Sequence, residues 1–139
     1  MIGIVVVAHG ELGDALIAAT RFIFESQPKN VAAVSVDLES KPDTLRRNIE
    51  AGIKSVDRQQ GIILLTDMFG GTPSNLAYSF LDEGRVEVLA GVNLPILIKA
   101  IASRSKMELA ELAAVLEKYG RQSITLASGV LKGTDRDKV

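Results

Sequence analysis

The run Ile2–Ala8, IGIVVVA, constrains this chain more than any other segment. A half-exposed strand alternates polar and apolar residues. This run turns no polar face outward. Continuous β-branched runs of this kind belong to parallel strands covered on both faces. The run breaks at His9-Gly10. Leu12, Ala15, Leu16, Ala19, Phe22 and Ile23 follow at helical spacing and predict a helix over about 12–25.

The same alternation continues along the chain. Val31–Val36 reads as a second strand. Ser40-Lys41-Pro42 opens a second helix, with proline in its first turn and Leu45, Ile49, Ile53 and Val56 facing inward. Gly61–Thr66 (GIILLT) is the third strand. Thr72 and Pro73 read as N-cap and first residue of a third helix, reaching about Leu81. Val86–Ala90 is the fourth strand, and Asn93 caps a short apolar helix, Leu94–Ala102. Ser105-Lys106-Met107-Glu108 has a capping-box pattern. It predicts a helix with Leu109, Leu112, Ala113, Leu116 and Tyr119 inward, stopped at Gly120. Ser123–Leu131 reads as a fifth strand, with Ile124, Leu126 and Val130 on one face. Residues 132–139 read as a mobile polar tail.

Strands alternating with helices mean βαβ units, and hence a doubly wound, mostly parallel five-stranded α/β sheet with helices on both faces. A length of 139 residues fits one domain, placed here over 1–131. Several function classes drop out. With no cysteine there is no disulfide framework and no thiolate metal site, and one histidine excludes any site that needs two. The net charge of -1 is spread over mixed signs, so no basic stripe invites nucleic acid. No apolar stretch approaches the 18 or more residues of a spanning helix. Met1–Ala8 lacks a basic flank and makes a poor signal peptide. The expected location is the cytoplasm, and no metal or cofactor is expected.

In doubly wound sheets, ligands bind beyond the carboxyl ends of strands where the strand order reverses. Two loops of unusual chemistry fall at such ends: His9-Gly10, and Asp67 to Asn75. His9 is either an ordinary packing or surface residue, or a nucleophile or base at the end of the most apolar strand. It is the one side chain here that ordinarily titrates near neutral pH. Asp67 either caps the following turn or accepts a hydrogen bond from one imidazole nitrogen. The latter would require strands one and three to be neighbours, about 4.8 Å apart. That bond fixes the tautomer and leaves the other nitrogen outward. Gly70-Gly71-Thr72-Pro73 is a glycine-rich turn into a helix start, a pattern suited to anions. It is neither a Walker loop nor a dinucleotide fingerprint. Together the three features supply a nucleophile, an orienting carboxylate and an oxyanion cradle, which suits phosphoryl transfer through a phosphohistidine. The segment Asn93–Ala102 is either core and cap, or a wall of the cleft. Arg21, Arg46, Arg47 and Lys99 read as solvated.

The segments IGIVVVAHGELGDAL, LLTDMFGGTPSN and GVNLP, in that order, resemble the mannose-type enzyme IIA of the bacterial sugar phosphotransferase system, the mannose/fructose/sorbose family. The resemblance covers roughly residues 1–131. It implies that His9 accepts a phosphoryl group from HPr and passes it to a IIB component, here a separate polypeptide. It implies that Asp67, in the family's D-x-[FW]-G-G-[ST]-P motif, orients the imidazole. Thr72 matches the motif's hydroxyl residue, with Gly10, Gly70 and Gly71 beside it as the expected phosphate cradle. It further implies an antiparallel last strand at the sheet edge, a homodimer, and contact with membranes only through transporter subunits. Strand exchange between protomers is one route to that dimer.

Two other histidine enzymes fit less well. Histidine phosphatases carry Arg-His-Gly, but Ala8 stands at the arginine position and no second histidine exists. Tetrapyrrole chelatases need further ligands. The dihydroxyacetone-kinase phosphotransfer subunit is closer, yet the unbroken DMFGGTPSN favours the mannose type. A regulatory phosphohistidine module without sugar transport stays open as the alternative, as do the sugar and the ring nitrogen that takes the phosphoryl group.

Overall fold

A computed structural model describes residues 1–37, 39, 41–68 and 70–132, apart from the side chains of Thr72 and Pro73. Its elements in chain order are β1 (Gly3–His9), α1 (Leu12–Phe24), β2 (Val31–Val36), α2 (Pro42–Val56), β3 (Ile62–Thr66) and α3 (Gly71–Tyr78). Then come β4 (Val86–Ala90), α4 (Leu94–Ser103), α5 (Leu109–Gln122) and α6 (Ala127–Leu131). The sheet runs β2-β1-β3-β4, and every pairing between these strands is parallel.

Burial explains why β1 had to be apolar throughout. It lies between β2 and β3, and Gly3 to Ala8 are all buried. Ile4, Val6 and Ala8 point to one side, where Ile63 and Leu65 of β3 join them beneath Ile17, Ile96, Leu97, Ala100, Leu109, Leu112 and Leu116. Helices α1, α4 and α5 therefore cover that face. Val5 and Val7 point to the other, with Val34, Ile62 and Leu64, under Leu45, Ile49 and Val56 of α2 and Leu76 and Ala77 of α3. Each face removes a row of β-branched side chains from water, which is the dominant favourable term in folding.

The chain crosses from β2, on one side of β1, to β3 on the other. The strand order thus reverses between β1 and β3, and His9 and Asp67 follow from those two strand ends.

Several expectations are corrected. The sheet has four strands, not five, and no antiparallel edge strand joins it among the described residues. In place of a strand over Ser123–Leu131, α5 runs to Gln122 and α6 forms over Ala127–Leu131. A strand exists only through a ladder partner, and this segment bonds to neither sheet edge. Its Ile124, Leu126, Val130 and Leu131 stay exposed. Gly120 does not stop α5. The helix passes through it because a Cβ there would collide with Ile96 of α4. The capping box does not form: Glu108, not Ser105, occupies the N-cap of α5, and it caps with no side-chain bond. Tyr119 is partly exposed, with the Lys99 ammonium 5.2 Å above its ring. The inward face of α1 is Gly13, Ile17 and Thr20, leaving Phe22 and Ile23 exposed. Asn93 does cap α4, its Oδ1 accepting from the Ile96 amide at 2.9 Å. Ser40, and the tail beyond Lys132, lie outside the described residues.

Candidate functional site

The site begins with two strand ends in register. Val7 sits opposite Thr66, so the chain leaving β1 and the chain leaving β3 emerge side by side. The Asp67 amide donates to the Val7 carbonyl at 3.3 Å, one step beyond the ladder. That tie turns the Asp67 carboxylate toward β1. Its Oδ2 accepts two hydrogen bonds from one residue: the His9 backbone amide at 2.9 Å and His9 Nδ1 at 2.8 Å.

The double bond defines the state of the ring. An ionised carboxylate only accepts, so Nδ1 carries the proton and Nε2 keeps its lone pair. No described residue partners Nε2. The His9 side chain is 40% exposed and that of Asp67 13%, so the ring faces solvent while the carboxylate stands behind it. Partial burial pushes the Asp67 carboxyl up. The bonds from the His9 amide and ring outweigh it and hold the carboxyl below its ordinary value.

The two loops beside the ring are fastened differently. Gly10, at φ 57°, donates its amide to the Val36 carbonyl at 3.0 Å, and its own carbonyl accepts from Ser35 Oγ at 2.7 Å. The first loop is thus strapped to β2. In the second, Gly70 takes φ 95° and ψ 156°, a conformation that favours glycine, and serves as N-cap of α3. The helix therefore starts at Gly71, not Pro73, and Thr72 is its second residue rather than its cap. Pro73 is tolerated in the first turn because the amide it lacks would have no helical partner there.

Of the expected cradle, Gly10 and Gly70 have amides already committed, the latter to Ser74 Oγ at 3.1 Å. The amides of Gly71 and Thr72 begin α3 and are donors the helix does not use. Those two are the donors left for an anion. His9 and Asp67 are in direct contact, and the glycine turn follows Asp67 within three residues. Sequence reasoning missed Ser35 and Ser74. For Ser74 a signal was present: a serine three residues beyond a Gly-Gly pair, able to reach back onto the turn.

Fold and site together define a class: a parallel α/β domain whose one histidine, oriented by a carboxylate, opens at the switch point of the sheet. The chain belongs to the EIIA-man family, described as PTS system fructose IIA component, which it matches over residues 3–117. It is a phosphotransferase-system EIIA component, a phosphotransferase of sugar phosphotransfer. Among its relatives is the fructose-specific EIIA component of Bacillus subtilis, 33% identical over 129 residues, covering 92% of this chain and 88% of that protein. The mannose-specific EIIAB component of Escherichia coli K12 is 29% identical over 125 residues; the match takes in 88% of this chain but 38% of that protein. Among solved structures, the EIIA component of Streptococcus agalactiae superposes with a TM-score of 0.82 at 25% identity, covering 92% of this chain and 98% of that one. The mannose/sorbose-specific IIA subunit of Enterococcus faecalis does so with 0.78 at 27% identity, covering 89% and 92%. Among the described residues, no helix is long and apolar enough to cross a membrane.

Proposed function

We propose that His9 carries a phosphoryl group on Nε2, taken from phospho-HPr and handed to a IIB component in sugar uptake. One observation carries the reading. Asp67 Oδ2 binds Nδ1 at 2.8 Å and leaves Nε2 as the outward lone pair. In the step, that lone pair forms a bond to phosphorus while the bond from phosphorus to the donor breaks. Both bonding electrons leave with the donor. The ring then bears positive charge, which the Asp67 carboxylate behind Nδ1 offsets. The free amides of Gly71 and Thr72 suit the phosphoryl oxygens. Transfer to IIB is the same exchange with the roles of donor and acceptor shifted by one protein. A cytoplasmic location fits a partner chain of soluble carriers.

Incubation with phosphoenolpyruvate, enzyme I and HPr, followed by intact mass, tests this. The expected result is one added phosphoryl group that is lost in brief acid and kept in alkali. An acid-stable adduct, or a normal gain in His9→Ala, overturns it.

A homodimer belongs to the same proposal. Ile124, Leu126 and Leu131 are 79%, 75% and 86% exposed on one C-terminal segment, apolar side chains that a second copy would cover. Light scattering at micromolar concentration should give twice the 14.9 kDa chain mass. A monomer there removes the dimer and leaves the phosphoryl chemistry untouched.

A further inference from the structure

The Gly70-Gly71 turn stands between the orienting carboxylate and the free helix amides, and both of its residues are of the type with the freest backbone torsions. Gly70 and Gly71 sit at φ 95° and 82° in succession. Around Gly70, as around Gly10, a Cβ would meet nothing within 4 Å, so open space lies on that side of the turn. The opposite loop differs. Gly10 is strapped at both its amide and its carbonyl to β2.

One side-chain bond ties the glycine turn to its own helix. Ser74 is 2% exposed, on the first turns of α3, and its Oγ reaches back to accept from the Gly70 amide at 3.1 Å. That bond ties the entry of the turn to the first turns of α3, and so narrows the range of directions in which the Gly71 N–H is presented. We propose that Ser74 is a positioning residue for phosphoryl transfer: it holds the glycine turn so that the Gly71 and Thr72 amides stay aimed at the group on His9. It touches neither phosphorus nor the imidazole. This role rests on the phosphohistidine reading above.

Ser74→Ala removes the tie while leaving His9, Asp67 and every free donor in place. Gly70 is exposed, so water satisfies its amide and folding is little disturbed. The turn then samples other directions. Losing one ordinary hydrogen bond's worth of alignment slows transfer about two- to tenfold. The measurement is transfer from phospho-HPr with kcat and KM separated, alongside hydrogen exchange of the Gly70 amide. The expected result is a lowered kcat, an unchanged KM for HPr, faster Gly70 exchange, and wild-type kcat restored in Ser74→Thr, which keeps the acceptor oxygen. A purely structural serine would instead lower kcat only in proportion to folded protein. That outcome, or a wild-type kcat in Ser74→Ala, overturns the proposal while the wild-type chain still takes up phosphoryl. A wild-type chain that takes up none overturns the phosphohistidine reading, and the role of Ser74 with it.

Discussion

The two ends of the sheet each hold a charged group, and they treat it in opposite ways. At the carboxyl end, His9 and Asp67 form one short contact and remain open to solvent. At the amino end, about 20 Å away along β1, Arg104 is 4% exposed. Its guanidinium donates to the carbonyls of Ile2 and Asn30 at 3.2 Å and to that of Lys29. No carboxylate pairs with it among the described residues, and its Nε has no partner there. Burial pushes its pKa below the ordinary value, yet a guanidinium keeps its proton in proteins. The amino end therefore uses a charge as a fixed tie between the close of α4, the start of β1 and the turn into β2. The carboxyl end leaves its imidazole half in water, where a ligand can reach it; the amino end seals its charge in.

That contrast yields experiments in descending order of effect. His9→Ala should abolish phosphoryl uptake entirely and leave the thermal midpoint close to wild type, since the ring is half-exposed. A large drop in midpoint would erase the distinction between the two ends. Asp67→Ala should slow transfer by about 10²–10⁴-fold, the range for losing a positioned acid–base partner. Wild-type rates in single-turnover assays would strip Asp67 of its orienting role. Arg104→Met should invert the pattern. It leaves carbonyls without their donor and destabilises the fold by on the order of 3 kcal/mol, read by urea midpoint. The transfer rate per folded molecule should stay unchanged, and a slowed rate in fully folded protein would show the two ends to be coupled.

The smallest effect is the dependence of stability on pH through Asp67. Its carboxyl is held below its ordinary value in the folded chain. Such a group stabilises above the unfolded pKa, about 3.9, and the contribution is lost as pH falls through the folded value. Wild type should exceed Asp67→Asn in urea midpoint at about pH 6, with the gap closing below about pH 4. A gap constant across that range would break the link.

The sheet interior was legible in the sequence because burial on both faces writes itself as uninterrupted apolar runs. Ile2–Ala8 and Gly61–Thr66 both lie where those runs indicated. The contact between His9 and Asp67 was legible only on the condition that strands one and three are neighbours, a condition that the sheet order meets. The C-terminal segment was not. Alternation over Ser123–Leu131 specifies which side chains share a face, but the ladder that makes a strand depends on a neighbour the sequence does not name. Gly120 misled for a related reason: glycine marks a helix end or a close approach equally well, and only the position of Ile96 distinguishes them. Thr72-Pro73 looked like a helix start because proline favours first turns. The positive φ of Gly70 moved that start two residues earlier. Ser74 escaped although a serine just past a Gly-Gly pair is a signal, because its partner is a backbone amide that the sequence does not mark.

The bond between His9 and Asp67 joins residues 58 positions apart, and this gives the site a history. A ribosome adding about 5–20 residues per second needs on the order of 3–12 seconds to travel from one to the other. Through that interval the emerging β1 has β2 as its only possible strand neighbour, and its other edge stays open until β3 is made. The imidazole gains its carboxylate only when that edge closes. A nascent chain halted before Thr66 would thus carry an unclosed, aggregation-prone edge and a histidine without direction. The imidazole thus meets its carboxylate in the same stretch of translation that closes the second edge of β1.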